Sequence, residues 1–146
     1  MRTLAKILIL ASAAAGVAVV GVAGPAHADT VKCAERPLRP EAPDIVIVTC
    51  AEATGDQRRS LSTVINGTDQ AIELREFKTL ISYPQYGLTD CGASRLDAGT
   101  QAVCISPWVT ARGPSEAGRA SAFSIVRVIE AEGRHTFAIG VIDATF

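Results

Sequence analysis

An enzyme of hydrolysis or transfer needs a nucleophile, a base to activate it and donors for the charge that develops. Beyond residue 28 this chain has one imidazole, His135. It falls at the start of a predicted strand just past a hairpin turn, where a surface histidine is the simpler reading. No G-x-S-x-G elbow presents a serine. Glu130 and Glu132 form a carboxylate pair, but solvation beside a turn explains them better than glycosidase geometry. No Gly-rich phosphate loop follows a strand, and no calcium loop occurs. The remaining candidates are Cys33, Cys50, Cys91 and Cys104. They lack C-x-x-C spacing and have one histidine for company, so a zinc site is not expected. An even count in a small domain reads as two disulfides, for which the sequence allows three pairings. Proximity along the chain favours Cys33–Cys50 and Cys91–Cys104, each worth about 3 kcal/mol in the chain-entropy description. The expected chemistry is cross-linking, with no enzymatic turnover, no cofactor and no metal.

An oxidising setting is consistent with the first residues, "MRTLAKILILASAAAGVAVVGVAGPAHADT". Arg2 and Lys6 precede an apolar run from Ile7 to about Ala23, and Gly24-Pro25 interrupts it. Ala26-His27-Ala28 then supplies small residues at the positions a signal peptidase reads, so cleavage is expected between Ala28 and Asp29. The competing reading is an uncleaved anchor, since the run approaches spanning length. Export followed by cleavage would leave a single domain from Asp29 to Phe146, secreted or held at the cell surface without stable membrane insertion. Loss of Arg2 and Lys6 leaves twelve basic residues against fifteen acidic ones, a net charge near −3. Those charges are interspersed, which gives nucleic-acid binding no electrostatic support.

Recognition loops are the alternative to chemistry. Tyr83-Pro84-Gln85-Tyr86 places two amphipathic aromatics in one short segment leading into Cys91. Such residues supply contact area at low entropic cost. The competing reading has the tyrosines capping one end of the core.

The elements that must position these residues read as strands. "ERPLRPEAP" (35–43) has three prolines and is expected to be an irregular or extended lead-in. "DIVIVTC" (44–50) is β-branched and reads as a strand buried on both faces. "EATGDQRR" is a polar turn, "SLSTVIN" (60–66) another strand, and Asn66-Gly67 a turn, because both residues tolerate positive φ. The triplet Asn66-Gly67-Thr68 also matches a glycosylation acceptor, a reading secondary to the turn. "AIELREFKTLI" (71–81) fits a helical stripe and a strand alternation equally, and the surrounding strands favour strand. "SYPQYGLTD" (82–90) is expected to be a loop. "TQAVCISPWVTAR" (100–112) alternates, with Pro107 demanding an edge or a bulge. "GPSEAG" (113–118) reads as a loop, and 119–131 with 135–146 as a hairpin around Glu132-Gly133. The expected class is all-β, an antiparallel β-sandwich.

From Val64 onward the order of features resembles the immunoglobulin-like repeat domain of bacterial surface and secreted proteins. The resemblance is carried by Asn66-Gly67-Thr68-Asp69, Ile72 and Leu74, Cys91, Leu96, Ala98-Gly99, Cys104, Trp108-Val109-Thr110, Gly118 and the strand at 119–129. It spans residues 60 to 131. It implies an immunoglobulin-like sandwich in which a Cys91–Cys104 bridge closes the turn between two strands. Leu96 would lie under the glycine turn, and Trp108 would pack in the core near the sulfurs. The function it implies is a non-catalytic module that contacts a protein or envelope component. Two other readings share the scaffold. One is a proteinase inhibitor presenting Tyr83–Tyr86 or Arg112-Gly113-Pro114. The other is a carbohydrate-binding module using Tyr83, Tyr86 and Trp108.

Overall fold

A computed structural model describes residues 30–146. The expected signal peptide, residues 1–28, and its cleavage point at Ala28/Asp29 lie outside the described residues. Ten strands and a single helical turn follow in order: β1 (Thr30–Arg39), β2 (Ala42–Thr54), β3 (Gln57–Asn66), β4 (Ile72–Tyr83), β5 (Gly87–Asp90), β6 (Ser94–Leu96), β7 (Gln101–Ile105), β8 (Val109–Thr110), α1 (Pro114–Ala117), β9 (Arg119–Ile129) and β10 (His135–Thr145). Two antiparallel sheets form. The first runs β1-β2-β3-β7 with β8 also on β3; the second runs β10-β9-β4-β5 with β6 also on β4.

Several expectations need correction. The proline-rich lead-in is itself a strand, β1. It tolerates Pro37 because it is an edge strand whose register shifts between Pro37 and Arg39. Residues 82–90 are not all loop: β4 continues to Tyr83, and β5 occupies Gly87–Asp90. Residues 113–118 contain the helical turn α1. The ambiguous stretch 71–81 is strand, and Pro107 does divide its strand into β7 and β8. The final hairpin also forms as expected, with β9 and β10 paired along their whole length.

Alternation in β2 turns Ile45, Ile47, Thr49, Ala51 and Ala53 inward, and all five are buried. Val48 on the outer side is buried as well, while Val46 and Cys50 are half-buried. Ile47, Val64, Leu74, Phe77, Leu96, Val126 and Val128 belong to one apolar cluster between the sheets. A smaller cluster at the other end contains Ala51, Ile81, Ala120, Ala122 and Ala144. Between them lies a row of hydroxyls. Thr49 and Ser62 are register partners in the first sheet, and Thr79 and Ser124 are partners in the second. Thr49 and Ser124 share a hydrogen bond of 2.6 Å, Ser62 Oγ donates to Thr79 Oγ1 at 2.7 Å, and Ser62 also bonds Ser124. Ser60 extends the chain to Thr79 at 2.7 Å. Each of these hydroxyls would cost about 1–3 kcal/mol if buried without a partner, so the network must form as a unit.

The Asn66-Gly67 turn forms, but not through positive φ at the glycine. The Gly67 N–H donates to Asp44 O at 2.7 Å, and a Cβ there would stand 2.7 Å from the same oxygen, so close approach excludes any side chain. Asn66 is fully buried. Its amide donates to the carbonyls of Gln70, Leu96 and Asp97 and its oxygen accepts from Thr68, which ties the two loops at this end together.

Both open sides of the layered structure are closed. On one side, Arg36 of β1 donates to the Ile139 carbonyl of β10 at 2.7 Å, and Lys32 donates to that of Thr145. On the other, the Cys91–Cys104 disulfide joins the segment after β5 to β7, with Cα atoms 5.9 Å apart. That bridge therefore ties one sheet to the other instead of closing a turn within a strand pair. Cys33–Cys50 links register partners on β1 and β2. The pairing is the one that proximity favours, and two such bridges fit maturation in an oxidising environment.

Candidate binding surface

In β9 and β10 small residues occupy much of the inner side, while several large apolar residues lie on the outer side. Ala120, Ala122, Ser124, Val126 and Val128 of β9 face the other sheet, as do Ala138 and Ala144 of β10. Val126, Val128 and Ile142 pack inward, but five large apolar residues point outward: Phe123 and Ile125 on β9, half-buried, and Phe137, Ile139 and Val141 on β10, exposed. Register places them in rows that cross the whole second sheet. One row runs Leu88, Leu80, Phe123, Val141, apolar at every strand. The next runs Asp90, Lys78, Ile125, Ile139, and the third Glu76, Arg127, Phe137. Phe137 is 54% exposed and Val141 46%, in a sheet whose outer face would ordinarily be polar. Exposed apolar surface of this kind makes the face a candidate interaction surface.

The charges on this face are already matched. Lys78 Nζ contacts Glu76 at 2.7 Å and Asp90 at 3.8 Å, and Arg127 lies 3.6 Å from the other oxygen of Glu76. The Lys78 ammonium is held above its usual range, first by the hydrogen bond to Glu76, with burial opposing. Arg127 also lies over the Phe137 ring, 6.0 Å from its centroid. Within these rows two cations balance two anions, and beyond the apolar row the same side carries Arg119 and Asp143, again one of each sign.

The tyrosine segment lies at the margin of this surface. Tyr83, Pro84 and Gln85 are half-buried, the Tyr83-Pro84 peptide is cis, and Gln85 Nε2 donates to the Thr110 carbonyl at 2.6 Å. Tyr86, 67% exposed, lies two residues before Leu88, beside the β5 end of the apolar row. Tyr83 carries the Arg119 guanidinium 5.8 Å from its centroid. Arg112 and Pro114 are exposed, and the Arg112 N–H is held by the Glu116 carboxylate at 2.8 Å.

Trp108 does not pack in the core. It is partly exposed, outside both apolar clusters, with the Arg59 guanidinium 4.3 Å over its ring. Pro107 turns the chain out of β7 before the tryptophan can continue the inward side that Cys104 occupies. Leu96 is buried. His135 is exposed at the start of β10.

Glu130 is not a solvated turn residue, as the sequence suggests. It is 6% exposed and receives two bonds of 2.9 Å from Arg39, Nε to one oxygen and Nη2 to the other. Arg39 bonding holds its carboxyl below the usual carboxylate range, against the effect of burial, with a smaller contribution from Thr136. Glu132 is exposed and weakly paired with Arg39 at 3.6 Å. A groove of about 480 Å³ opens beside them, lined by Ile72, Arg75, Arg95 and Glu130 among others. Its charged groups are spoken for: Arg75 pairs with Glu73 and Arg95 with Asp97. Among the described residues no group of His, Cys, Asp or Glu could hold a metal ion, and no helix is long and apolar enough to cross a membrane.

No protein-family model matches the sequence, and no curated protein matches it. Two solved structures are weakly similar. A Northeast Structural Genomics Consortium target gives a TM-score of 0.42 at 13% identity, over 83% of this chain and 87% of its own. A Bordetella pertussis protein provisionally designated ApaA gives a TM-score of 0.43 at 8% identity, over 83% of this chain and 95% of its own.

Proposed function

We propose that this chain is an exported, non-catalytic, immunoglobulin-like module that acts by contact, through the outer face of its second sheet. The observation that carries the reading is the outer side of the β9–β10 hairpin, where Phe123, Ile125, Phe137, Ile139 and Val141 point away from the core. A soluble scaffold that needed these residues only for stability would bury them, at roughly 1.5–3 kcal/mol each. The immunoglobulin-like assignment is supported by connectivity. The β2-β3 pair, the crossing to β4, the return of β7 to β3 and the β9-β10 hairpin on β4 follow the Greek-key order of such sandwiches. Export is supported by the n-region, apolar run and Ala-His-Ala tripeptide of the first 28 residues and by two disulfides.

Retention experiments test this. The oxidised chain, immobilised, is exposed to culture supernatant and to envelope extract, beside a variant carrying Leu88→Lys and Val141→Lys. Both positions are exposed, so the substitutions leave the fold in place. The expected result is a protein retained by the native face and lost with the variant. Equal retention by both, or none by either, would remove the reading.

A further inference from the structure

We infer that the protein surface recognised by this face is the same face on a second copy of the chain. The inference rests on the contact function proposed above and names its partner. The apolar row and the Glu76–Arg127 pair of the second sheet are self-complementary about a twofold axis lying along the strands, between β4 and β9. Such an axis exchanges β4 with β9 and β5 with β10 while keeping each row opposite itself. In the apolar row, Leu80 then meets Phe123 of the partner, and Leu88 meets Val141. In the charged row, Glu76 meets Arg127, and Arg127 meets Glu76. Lys78 comes opposite Ile125. It arrives already neutralised by Glu76 and Asp90, and its methylene stem can lie along the apolar surface. The contact is isologous, and each pairing therefore occurs twice.

Charge selects this occupant over the alternatives. Within the three rows Lys78 and Arg127 balance Glu76 and Asp90, which offers nothing to a polyanion or an anionic membrane. Glu76 and Arg127 instead each meet the opposite charge on an inverted copy, and the Lys78–Asp90 pair comes opposite Ile125 and Ile139. Strands about 4.8 Å apart and several residues long at about 3.3 Å each make a face some 15–20 Å across. That is about 225–400 Å² on each copy, less than a standard specific interface buries, so the dimer expected is weak and reversible. Two twisted sheets also stack naturally in this aligned manner.

Sedimentation equilibrium of the oxidised chain tests the inference, with circular dichroism confirming that each variant is folded. The native chain is expected to show a concentration-dependent monomer–dimer equilibrium. Arg127→Glu alone and Glu76→Arg alone place like charges opposite each other twice, and each should weaken association by about a hundredfold. An equimolar mixture of the two single variants should associate again. In the mixed pair each altered residue meets a charge of opposite sign, whereas repulsion inside each chain is unchanged by mixing. A native chain that stays monomeric at every concentration, or variants that do not recover on mixing, would overturn the inference. If face-dependent retention of another protein persists while the pure chain stays monomeric, the contact function stands and only its partner is wrong.

Discussion

Gly140 lies on β10 opposite Ser124 and faces Thr49 across the two sheets. A Cβ built there would overlap Thr49 Oγ1 and stand 3.3 Å from Ile47 Cγ2 and 3.5 Å from Ser124 Cβ. Gly140→Ala therefore forces Thr49 out of place. Overpacking of this kind costs about 1–3 kcal/mol. Displacing Thr49 also breaks its 2.6 Å bond to Ser124, for about another 1 kcal/mol. Thr49→Ala alone leaves Ser124 bonded to Ser62, so it is expected to cost about 1 kcal/mol. Once Thr49 is alanine, the obstructing oxygen is gone and only the tight approach to Ile47 remains. The methyl at 140 should then cost about 1 kcal/mol or less. The double variant is thus expected to be more stable than the sum of the single effects by about 1–3 kcal/mol. Urea unfolding of the four proteins, disulfides intact, measures the cycle. If Gly140→Ala costs the same in both backgrounds to within about 0.5 kcal/mol, the placement of Gly140 against the hydroxyl row is refuted.

Acidification should weaken the Arg39–Glu130 link. The Glu130 carboxyl is depressed in the folded chain, so the unfolded chain binds more protons and stability from this group rises with pH. It is fully present above the ordinary glutamate pKa and is lost as pH falls toward the depressed one. Urea midpoints from about pH 7 to about pH 3 should therefore show the native chain converging on Glu130→Gln as the pH drops. Trp108→Ala is expected to cost about 1 kcal/mol, the scale of an exposed cation–π contact with Arg59, against about 3–5 kcal/mol for a core tryptophan. A midpoint loss on the larger scale would return Trp108 to the core.

Much of the strand content was legible because strand signals are local. "DIVIVTC" and the final hairpin carry β-branched runs and turn residues within a few positions, and Pro107 removes a donor wherever it sits. The misreadings have a common cause in partners remote in sequence. Proline argued against a strand at 35–43, but only the fold reveals that β1 is an edge where a missing donor is harmless. Glu130 looked solvated because its neighbours are turn residues, while the arginine that neutralises it lies 91 positions away. In β3, alternation alone gives two sides but not which one faces in. Ser60 and Ser62 would ordinarily face water, yet they are inside and Leu61 and Ile65 are outside. Burying serines requires hydroxyls from β2, β4 and β9 at matching height, which no window on β3 contains. The candidate surface was hidden for the same reason. The sequence points only to its margin, through the segment Tyr83–Tyr86.

The side chains of β1 have a consequence for how copies of this chain could meet. Arg36 and Lys32 occupy carbonyls along β10 that another strand would need for pairing. With those two carbonyls taken, lateral addition of another strand is obstructed at both points. An assembly made through the broad flank instead uses up its own docking surface when two copies join, and so terminates at two.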